Sequence, residues 1–299
     1  PQDGSIKVFA RKTVVDKLKD STTEILEEEA KRLGIDARVG ETVEIEVTPQ
    51  DFGRIAAQTA KQVIVQRIRE AERDLIYAEF VEKQGEIITG IISKKEGSNI
   101  IVDLGKTEGL LPFSEQVPTE NYRIGGRMKF YIVEVKKTSK GSRIVLSRTH
   151  PGLVKRLFEL EVPEVHDGLV DIKAIAREPG VRSKVVVESR SDKIDPVGSC
   201  IGNRGSRVKN ITDELRGEKI DIIRWSNDPR LLIAEALSPA RVVKVELDEE
   251  TDTARVFVPE DQLSLAIGKD GQNARLAARV TSWRIDIKGE KDIGQEDSH

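Results

Sequence analysis

Aromatic and sulfur-containing residues are scarce in this chain of 299 residues. Aromatics make up 4%, and there is one cysteine, Cys200, and one methionine, Met128. A single cysteine excludes both a disulfide framework and a cysteine-rich zinc site. The three histidines, His150, His166 and His299, lie too far apart to follow the spacing of metal ligands. We therefore predict that the chain holds no metal ion and no other cofactor.

Long apolar runs are also absent, although hydrophobic residues make up 37% of the chain. No run approaches the roughly 20 apolar residues that are needed to cross a bilayer, so we predict no membrane span. The sequence shows no signal-peptide pattern, which favours a cytoplasmic protein, and it starts at Pro1, which indicates a processed or truncated start. The apolar content is high enough for packed cores, and this excludes a wholly disordered chain.

Charged residues are abundant (34%), but their balance leaves a net charge of only −3. That total argues against nucleic acid as a ligand, because a basic domain is the usual electrostatic footprint. Counted by segment, however, the net charge is −3 over residues 1–80, +4 over 81–150, +1 over 151–226 and −5 over 227–299. The positive charge therefore lies in the middle of the chain, which keeps a nucleic-acid ligand open.

Residues 1–82 are predicted to form an α/β domain that ends in a long helix. Residues 5–10 and 42–47 alternate like strands, and residues 21–33 have a helical pattern. Residues 48–51 resemble a capping box with proline in the first turn. Over residues 52–75 an apolar stripe recurs at steps of three and four, which predicts a helix of roughly 30 residues and about 45 Å. Its other face is basic and is either solvated or a docking surface.

Residues 83–150 are predicted to form a small β-barrel of the OB type. Strand-like runs follow one another at short spacing, with glycine- and serine-containing turns between them. The runs are residues 86–92, 100–104, 128–135 and 143–147. About five short strands in roughly 70 residues fit a small barrel.

The rest of the chain contains an internal repeat, with one copy over residues 151–226 and the other over residues 227–290, followed by a tail of residues 291–299. Each copy begins with a helix, continues with two strands and a helix interrupted by a glycine pair, and closes with a strand. The order α-β-β-α-α-β resembles the bacterial type of KH domain, an RNA-binding module. We therefore predict a multidomain α+β protein with an α/β N-terminal domain, an OB-type barrel and two tandem KH domains.

Both copies carry the pattern Ile-Gly-x-x-Gly, at residues 201–205 and 267–271. Glycines lack a Cβ atom and let a nucleotide backbone approach the main chain. The helix that follows offers free N–H groups and the positive end of its dipole to a phosphate. In KH domains such a loop clamps about four nucleotides. A glycine pair alone is a weak signal, and the alternative is a tight helix–helix turn; the matched position in both copies favours RNA binding.

The predicted RNA-binding residues are the two loops and the polar side chains beside them. They are Gly202, Asn203, Arg204, Gly205, Arg207 and Lys209 in the first copy, and Gly268, Lys269, Asp270, Gly271, Gln272, Asn273 and Arg275 in the second. The carboxylate of Asp270 is unfavourable near a phosphate path, so it either points away or weakens the second copy. Bases are predicted to lie on an apolar groove, with Val185, Val187 and Ile201 as candidates in the first copy.

Four stretches of the chain are long and specific enough to indicate a family. They are residues 52–64 (FGRIAAQTAKQVI), 174–184 (AIAREPGVRSK), 195–202 (DPVGSCIG) and 263–278 (LSLAIGKDGQNARLAA). They resemble the NusA family of bacterial transcription elongation factors, and the resemblance runs from about residue 4 to about residue 289. It implies that the barrel is the OB domain of the S-one type and that the repeats are the tandem KH domains of that family.

The resemblance also implies a function without catalysis. Members of the family bind RNA polymerase through the N-terminal domain near the RNA exit channel, and contact the emerging single-stranded RNA with the barrel and the KH pair. We therefore expect this chain to modulate pausing, termination and antitermination, with RNA polymerase, nascent RNA and other Nus factors as partners, and to be a monomer. The family has a helical head before the strand that begins here at residue 5, and its absence predicts a lowered affinity for polymerase.

The barrel lacks the exposed aromatic pair that many such barrels use for base stacking, which would fall near Asn99 and Ile100. Stacking is worth roughly 1–3 kcal/mol per base, so we predict that the barrel alone binds RNA weakly. Phe113, Tyr122 and Tyr131 are the remaining candidates, and we predict a core position for each.

An enzymatic interpretation is the alternative: an RNA-processing exonuclease accessory or an exosome-like RNA-binding subunit, since both combine such barrels with KH domains. A nuclease needs clustered carboxylates for metal ions, but the acidic run at residues 248–250 is interpreted as a solvated hairpin turn. Cys200 is interpreted as a small buried residue rather than a nucleophile. A coiled-coil dimerisation arm is disfavoured because the stripe of the long helix drifts from a strict heptad.

Overall fold

The computed structural model describes residues 7–47, 52–138 and 141–293, with the backbone alone for residues 52–56. The chain divides into two units, Pro1–Arg73 and Asp74–His299. The α+β architecture with a barrel and two repeats, predicted from the sequence, is confirmed.

The first unit is built on a three-stranded sheet in the order β2-β1-β3. Its elements are β1 (Phe9–Val15), β2 (Glu24–Leu26), α1 (Glu27–Arg32) and β3 (Thr42–Glu46). β1 runs parallel to β2 and antiparallel to β3. Along β3 the buried Val43 and Ile45 alternate with exposed residues, because one face of this sheet packs on a small core that includes Val14 and Ile25.

Two predictions for this unit need correction. The helix predicted over residues 21–33 begins only at Glu27, because residues 24–26 pair with residues 13–15 as a parallel strand. Strand pairing and the burial of Ile25 outweigh the local helical pattern at this point. The strand predicted over residues 5–10 begins at Phe9; residues 5–6 and the capping box at residues 48–51 lie outside the described residues.

The long helix α2 spans Phe52–Val81, and its predicted length of about 30 residues is confirmed. Within the first unit its apolar stripe is on the surface: Val63, Ile64 and Ile68 are 52%, 59% and 52% exposed. The three- and four-residue period therefore identified the helix correctly, but these positions do not form part of the core of the first unit.

The second unit begins with the last turns of α2 and a closed five-stranded barrel in the order β4-β5-β6-β8-β7. The strands are β4 (Ile87–Glu96), β5 (Asn99–Asp103), β6 (Glu108–Leu111), β7 (Arg127–Thr138) and β8 (Gly141–Ser147). The predicted barrel is thus confirmed. The sequence pattern does not delimit β6, which has only four residues, one of them Gly109, and which pairs antiparallel to β5 and parallel to β8.

The C-terminal end of α2 is anchored in the barrel. Phe80 is 1% exposed and belongs to the same core as Phe130 and Ile132 of β7, and Ile76 and Tyr77 pack against that core. Burial of a phenylalanine side chain is worth roughly 1.5–3 kcal/mol, so this contact fixes the end of the helix on the barrel.

The first repeat has the predicted α-β-β-α-α-β order. It consists of α3 (Pro151–Glu161), the short α4 (Pro163–His166), β9 (Val170–Glu178), β10 (Arg182–Ser189), α5 (Pro196–Ile201), α6 (Ser206–Glu214) and β11 (Lys219–Arg224). β10 lies between β9, to which it is antiparallel, and β11, to which it is parallel. Val185 and Val187 share one core with Leu157 of α3 and Ile211 of α6.

The second repeat has the same order and the same pairing. It consists of α7 (Pro229–Ala236), β12 (Lys244–Asp248), β13 (Thr253–Val258), α8 (Leu263–Ile267), α9 (Gln272–Thr281) and β14 (Arg284–Gly289). β13 is the central strand, antiparallel to β12 and parallel to β14. The internal repeat inferred from the sequence is therefore a repeat of structure.

The two repeats share one hydrophobic core. Val186 and Ile223, in the first sheet, belong to the same cluster as Leu232 of α7, Leu276 of α9 and Val256 of β13. Helix α9 contacts β9 and β10 of the first repeat as well as β14 of its own. Because the core is continuous, burial of apolar side chains joins the repeats, and they cannot move apart without exposing it.

Two buried arginines join the barrel to the first repeat. Arg148 is fully buried, bonds the carboxylate of Glu120 in the barrel and donates to the backbone oxygen of Glu214 in α6, 2.9 Å away. Arg177 is paired with the buried Glu218 and donates to the backbone oxygen of His150, 2.9 Å away. Each arginine is paired within its own domain, and its further bond to a backbone oxygen of the other domain fixes the barrel on the repeat, because a buried donor left without a partner is costly.

Candidate nucleic-acid interface

The two glycine loops have the same backbone conformation. In the first, Gly202 has φ 74° and ψ 176°, Arg204 has φ 52° and ψ 29°, and Gly205 has φ 76° and ψ 16°. In the second, the equivalent residues have φ 76° and ψ 170°, φ 53° and ψ 29°, and φ 72° and ψ 13°. Two segments 66 residues apart in the sequence thus form one and the same turn.

Steric contacts as well as conformation require the first glycine of each pair. A Cβ atom on Gly202 would lie 2.7 Å from a side-chain carbon of Arg207, and one on Gly268 would lie 2.8 Å from the backbone nitrogen of Asn273. The positive φ angle is also one that L-residues with a side chain rarely adopt. A larger residue must therefore displace the Arg207 side chain at the first position and the start of helix α9 at the second.

Helices α6 and α9 begin directly after the loops, at Ser206 and Gln272. The first N–H groups of a helix have no partner within it, and they carry the positive end of the helix dipole. A phosphate that lies on the loop would therefore face a helix N-terminus in both repeats, which is a favourable site for an anion.

Besides Arg275, which is described below, five of the predicted side chains are exposed beside the loops. Asn203, Arg204 and Lys209 are exposed in the first repeat, and Lys269 and Asp270 in the second. The central position of the turn is a cation, Arg204, in one loop and a carboxylate, Asp270, in the other. The electrostatic difference that the sequence indicates between the two copies therefore lies at geometrically equivalent, exposed positions.

The other four predicted side chains are engaged by the protein. Arg207 donates from Nη1 to Glu164 Oε2 at 2.8 Å and to the backbone oxygen of Ser199 at 2.6 Å. Asn273 is 2% exposed and donates to the backbone oxygens of Leu237 and Ala266, at 2.9 and 3.1 Å. Burial corrects the prediction that Asn273 contacts RNA. The Arg207 side chain is 30% exposed, so for Arg207 an RNA contact stays a prediction.

Gln272 and Arg275 are engaged as well, by one carboxylate of the first repeat. Gln272 Nε2 lies 2.7 Å from Glu178 Oε2, and Arg275 Nε lies 2.7 Å from Glu178 Oε1. Sequence reasoning missed Glu178, because a residue 97 positions away from Arg275 gives no local signal. Both side chains are therefore bonded to the first repeat, and the Arg275 side chain is still 45% exposed, so a direct RNA contact by either stays a prediction.

The apolar groove beside each loop differs in part from the prediction. Val185 and Val187 are fully buried in the core, so as base contacts they are wrong; Ile201 is 37% exposed. In the second repeat Leu265 and Ile267 are 46% and 41% exposed on α8. Ile267 could have been predicted as the groove residue equivalent to Ile201, since an isoleucine precedes the glycine pair in both copies.

Comparison with known proteins agrees with this geometry. Four domain-family profiles match consecutive parts of the chain: the NusA N-terminal domain over residues 1–74, the S1 RNA binding domain over 82–148, the NusA-like first KH domain over 148–225 and the NusA-like second KH domain over 229–295. A relative from Halalkalibacterium halodurans is 58% identical over 97% of this chain and 76% of its own length. One from Bacillus subtilis is 57% identical over 97% of this chain and 78% of its own length. Both are named transcription termination/antitermination protein NusA.

The chain belongs to the NusA family. The resemblance inferred from four stretches of sequence is thereby confirmed over nearly the whole length. The barrel of this NusA-family chain is the S1-type domain, and its two repeats are the family's KH pair.

The barrel of this NusA-family chain does carry one exposed aromatic side chain. Phe113, in a short 3-10 turn after β6, is 69% exposed, and its backbone N–H donates to Asn99 Oδ1 at 3.2 Å. The core position predicted for Phe113 is therefore wrong. Tyr122 is 7% exposed, as predicted, and Tyr131 is partly buried and stacks on His150 with ring centroids 4.4 Å apart. One exposed aromatic ring thus lies next to Asn99, near the position where the sequence lacks an aromatic pair.

The residues considered for the enzymatic alternative are the single cysteine and the acidic run at residues 248–250. Cys200 is buried as predicted, and burial, with a smaller contribution from Glu164, raises the pKa of its thiol to about 12. Asp248 ends β12, and Glu249 and Glu250 begin the hairpin turn to β13; all three are exposed, as predicted. Across the described ranges, no group of three or more His, Cys, Asp or Glu side chains is placed to hold a metal ion. No helix in the described part of the chain is long and apolar enough to cross a membrane.

Proposed function

We propose that this chain binds nascent single-stranded RNA on transcribing bacterial RNA polymerase and thereby modulates pausing, termination and antitermination. The observation that carries the proposal is the pair of glycine loops with equal backbone angles, in domains that share one core. Its relatives bear the name of a transcription termination/antitermination protein, which supports the same role.

The proposed RNA contacts are the backbones of the two loops, residues 202–205 and 268–271, and three exposed cations beside them. Arg204 and Lys209 serve the first loop and Lys269 the second, as phosphate ligands. Asn203 adds an exposed amide, and the Asp270 carboxylate makes the second loop the weaker contact. Bases are proposed to lie on the exposed apolar residues before each loop, Ile201 and Ile267.

The proposed domain limits are residues 1–82 for the polymerase-binding part, 83–150 for the barrel, 151–226 and 227–290 for the KH domains, and 291–299 for the tail. We propose that other Nus factors are further partners, and that the chain acts in the cytoplasm as a monomer without catalytic activity. Crosslinking the chain to a transcribing polymerase is expected to map polymerase contacts to residues 1–82 and RNA contacts to the loops. Purified protein is expected to leave RNA intact with and without Mg²⁺.

A titration of labelled single-stranded RNA tests RNA binding directly. The double variant Gly202→Asp/Gly268→Asp is expected to bind at least about tenfold more weakly, because each carboxylate meets the phosphate path and the added side chains displace Arg207 and the start of α9. Gly168→Asp is the matched control: Gly168 also has a positive φ, 69°, but a Cβ atom there meets nothing within 4 Å. Unchanged affinity of the double variant, with its fold intact by circular dichroism, would refute the KH part of the proposal.

A further inference from the structure

One carboxylate of the first KH domain bonds the helix that follows the glycine loop of the second. Glu178 ends strand β9, and its side chain is 19% exposed. Its Oε2 accepts from Gln272 at 2.7 Å, and its Oε1 accepts from Nε of Arg275 at 2.7 Å and lies 2.6 Å from Nη2. Burial alone would raise the pKa of Glu178, but the hydrogen bonds from Gln272 and Arg275 outweigh it and keep the pKa below its usual value. The group is therefore a carboxylate with both oxygens occupied.

Arg275 continues this contact into the loop itself. Its Nη1 donates to the backbone oxygen of Asp270 at 3.1 Å. Asp270 is the left-handed residue of the turn, with φ 53°. A left-handed residue with a side chain persists only where its surroundings support it. The guanidinium thus bridges a strand end of the first domain and the strained residue of the second loop.

The first loop is supported differently. Arg207 lies five residues after its first glycine, and it bonds Glu164 and the backbone of Ser199, both in the same domain. Asn273, at the equivalent position of the second repeat, bonds Leu237 and Ala266. At the next equivalent position, seven residues after the glycine, Lys209 is exposed whereas Arg275 is tied to the first domain. The second loop alone has a support of this kind that crosses the domain boundary, among the hydrogen bonds of the described residues.

We propose that Glu178 is a positioning residue for RNA binding by the second loop: it holds Arg275, which holds the Asp270 carbonyl, so that the first KH domain sets the shape of the loop in the second. The inference rests on the proposed function, because it assumes that the second loop contacts the RNA backbone. Arg275 then acts as a support and not as a phosphate ligand, since Nε and Nη2, the edge that would bind a phosphate with two bonds, face the Glu178 carboxylate.

The test is a titration of single-stranded RNA with the full chain at several salt concentrations. Glu178→Gln and Arg275→Ala are each expected to weaken binding about three- to tenfold, because an unsupported loop must be ordered on binding. The double variant Glu178→Gln/Arg275→Ala is expected to bind RNA with the affinity of the weaker-binding single variant, since both substitutions remove the same contact. In Glu178→Gln and Arg275→Ala the slope of log affinity against log salt is expected to equal that of the wild type. In Lys269→Ala the magnitude of this slope is expected to fall by about one.

Two variants serve as controls. Arg190 and Asp171 form another arginine–carboxylate pair of the first KH domain, with bonds of 2.7 and 2.9 Å, and Arg190→Ala is expected to leave RNA affinity unchanged. Arg275→Lys keeps the charge but has a single donor group, so it is expected to bind as weakly as Arg275→Ala. Thermal unfolding of each variant verifies that the fold is retained, and if Arg275→Ala does not fold, Glu178→Gln and Arg275→Lys carry the test.

Three outcomes would overturn the inference. If Arg275→Ala makes the salt slope shallower by about one, Arg275 is a phosphate ligand. If Glu178→Gln binds RNA more tightly, the carboxylate only repels the phosphates, and if the losses add in the double variant, the two residues do not act through one contact. Failure of the proposed function looks different. In that case the Lys269→Ala and Gly202→Asp/Gly268→Asp variants bind RNA as the wild type does.

Discussion

Arg148 of the barrel donates from Nη2 to the backbone oxygen of Glu214 in helix α6 of the first KH domain, at 2.9 Å. The same guanidinium also bonds the carboxylate of the buried Glu120 and the backbone oxygen of Lys129, 2.7 Å away. The barrel and the KH domain therefore meet around a charge that is fully removed from water. This is the part of the interface with the largest expected response to a single substitution.

Arg148→Met is expected to destabilise the chain by about 3–5 kcal/mol, because it leaves the carboxylate of Glu120 buried without its counter-charge, with only the hydroxyl of Tyr122 as a donor. The measurement is the free energy of unfolding from denaturant titration. Arg190→Ala removes an exposed arginine–carboxylate pair, and it is expected to cost less than about 1 kcal/mol. A loss in Arg148→Met as small as that of the control would contradict the role assigned to the buried charge.

Gly180→Ala is expected to loosen the contact of the barrel with the first KH domain. Gly180 lies in the turn between β9 and β10 with φ 75°, and a Cβ atom there would overlap Thr119 Oγ1 and lie 2.5 Å from a methyl group of Val117. Gly168 has nearly the same φ, 69°, with open space around it. The difference between the two alanine variants isolates the contact, and Gly180→Ala is expected to cost roughly 1–3 kcal/mol more in the free energy of unfolding. Equal losses would show that only backbone strain matters.

Phe113→Ala is expected to weaken binding of single-stranded RNA by roughly 1 kcal/mol, about fivefold, if the exposed ring stacks on one base. The substitution is expected to leave stability almost unchanged, because the side chain is 69% exposed. Ile124→Ala is the control, since Ile124 is 68% exposed on the same barrel and has no aromatic face. RNA affinity that falls equally in both variants, or in neither, would contradict a stacking role.

His150 is expected to make stability depend on pH. Burial lowers the pKa of His150 below its ordinary value of 6.5, and its Nδ1 accepts the N–H of Gly152 at 2.9 Å, so the folded state favours the neutral ring. The unfolded chain binds the proton more readily, so this contribution to stability is complete above pH 6.5 and is lost as the pH falls through 6.5 towards the folded-state pKa. The thermal midpoint of His150→Asn, which keeps an acceptor for Gly152, is expected to fall less between pH 7 and 5.5 than that of the wild type. A control, His166→Gln at an exposed position, is expected to fall as the wild type does.

Local patterns predicted most of the elements of this fold. The period of α2, the valine-rich strands and the repeated Ile-Gly-x-x-Gly depend on neighbours within a few residues, and the structure has them nearly where the sequence indicated. The errors arose where distant partners decide. Residues 24–26 are a strand because β1 lies beside them, and β6 is recognisable only by its pairing with β5 and β8.

The candidate site shows the same division at the level of side chains. The glycines and the exposed Arg204 and Lys269 could be chosen from the sequence, because both cations lie between the two glycines of a loop. The bonds of Gln272 and Arg275 to Glu178 could not be predicted, because that partner is more than 90 residues away. Phe113 was predicted in the core because nothing in the sequence indicates that it lies in an exposed turn after β6.

The sequence by itself determined the modules, their order and the conformation of both loops, because helical period, strand alternation and the φ angles of glycine are local properties. Only the tertiary structure decided that the two KH domains share one core, that four polar side chains beside the loops are engaged by the protein, and that one aromatic ring of the barrel is exposed. Burial and ion pairing depend on what the fold brings together, and no local pattern records the partner of a residue that is distant in the chain.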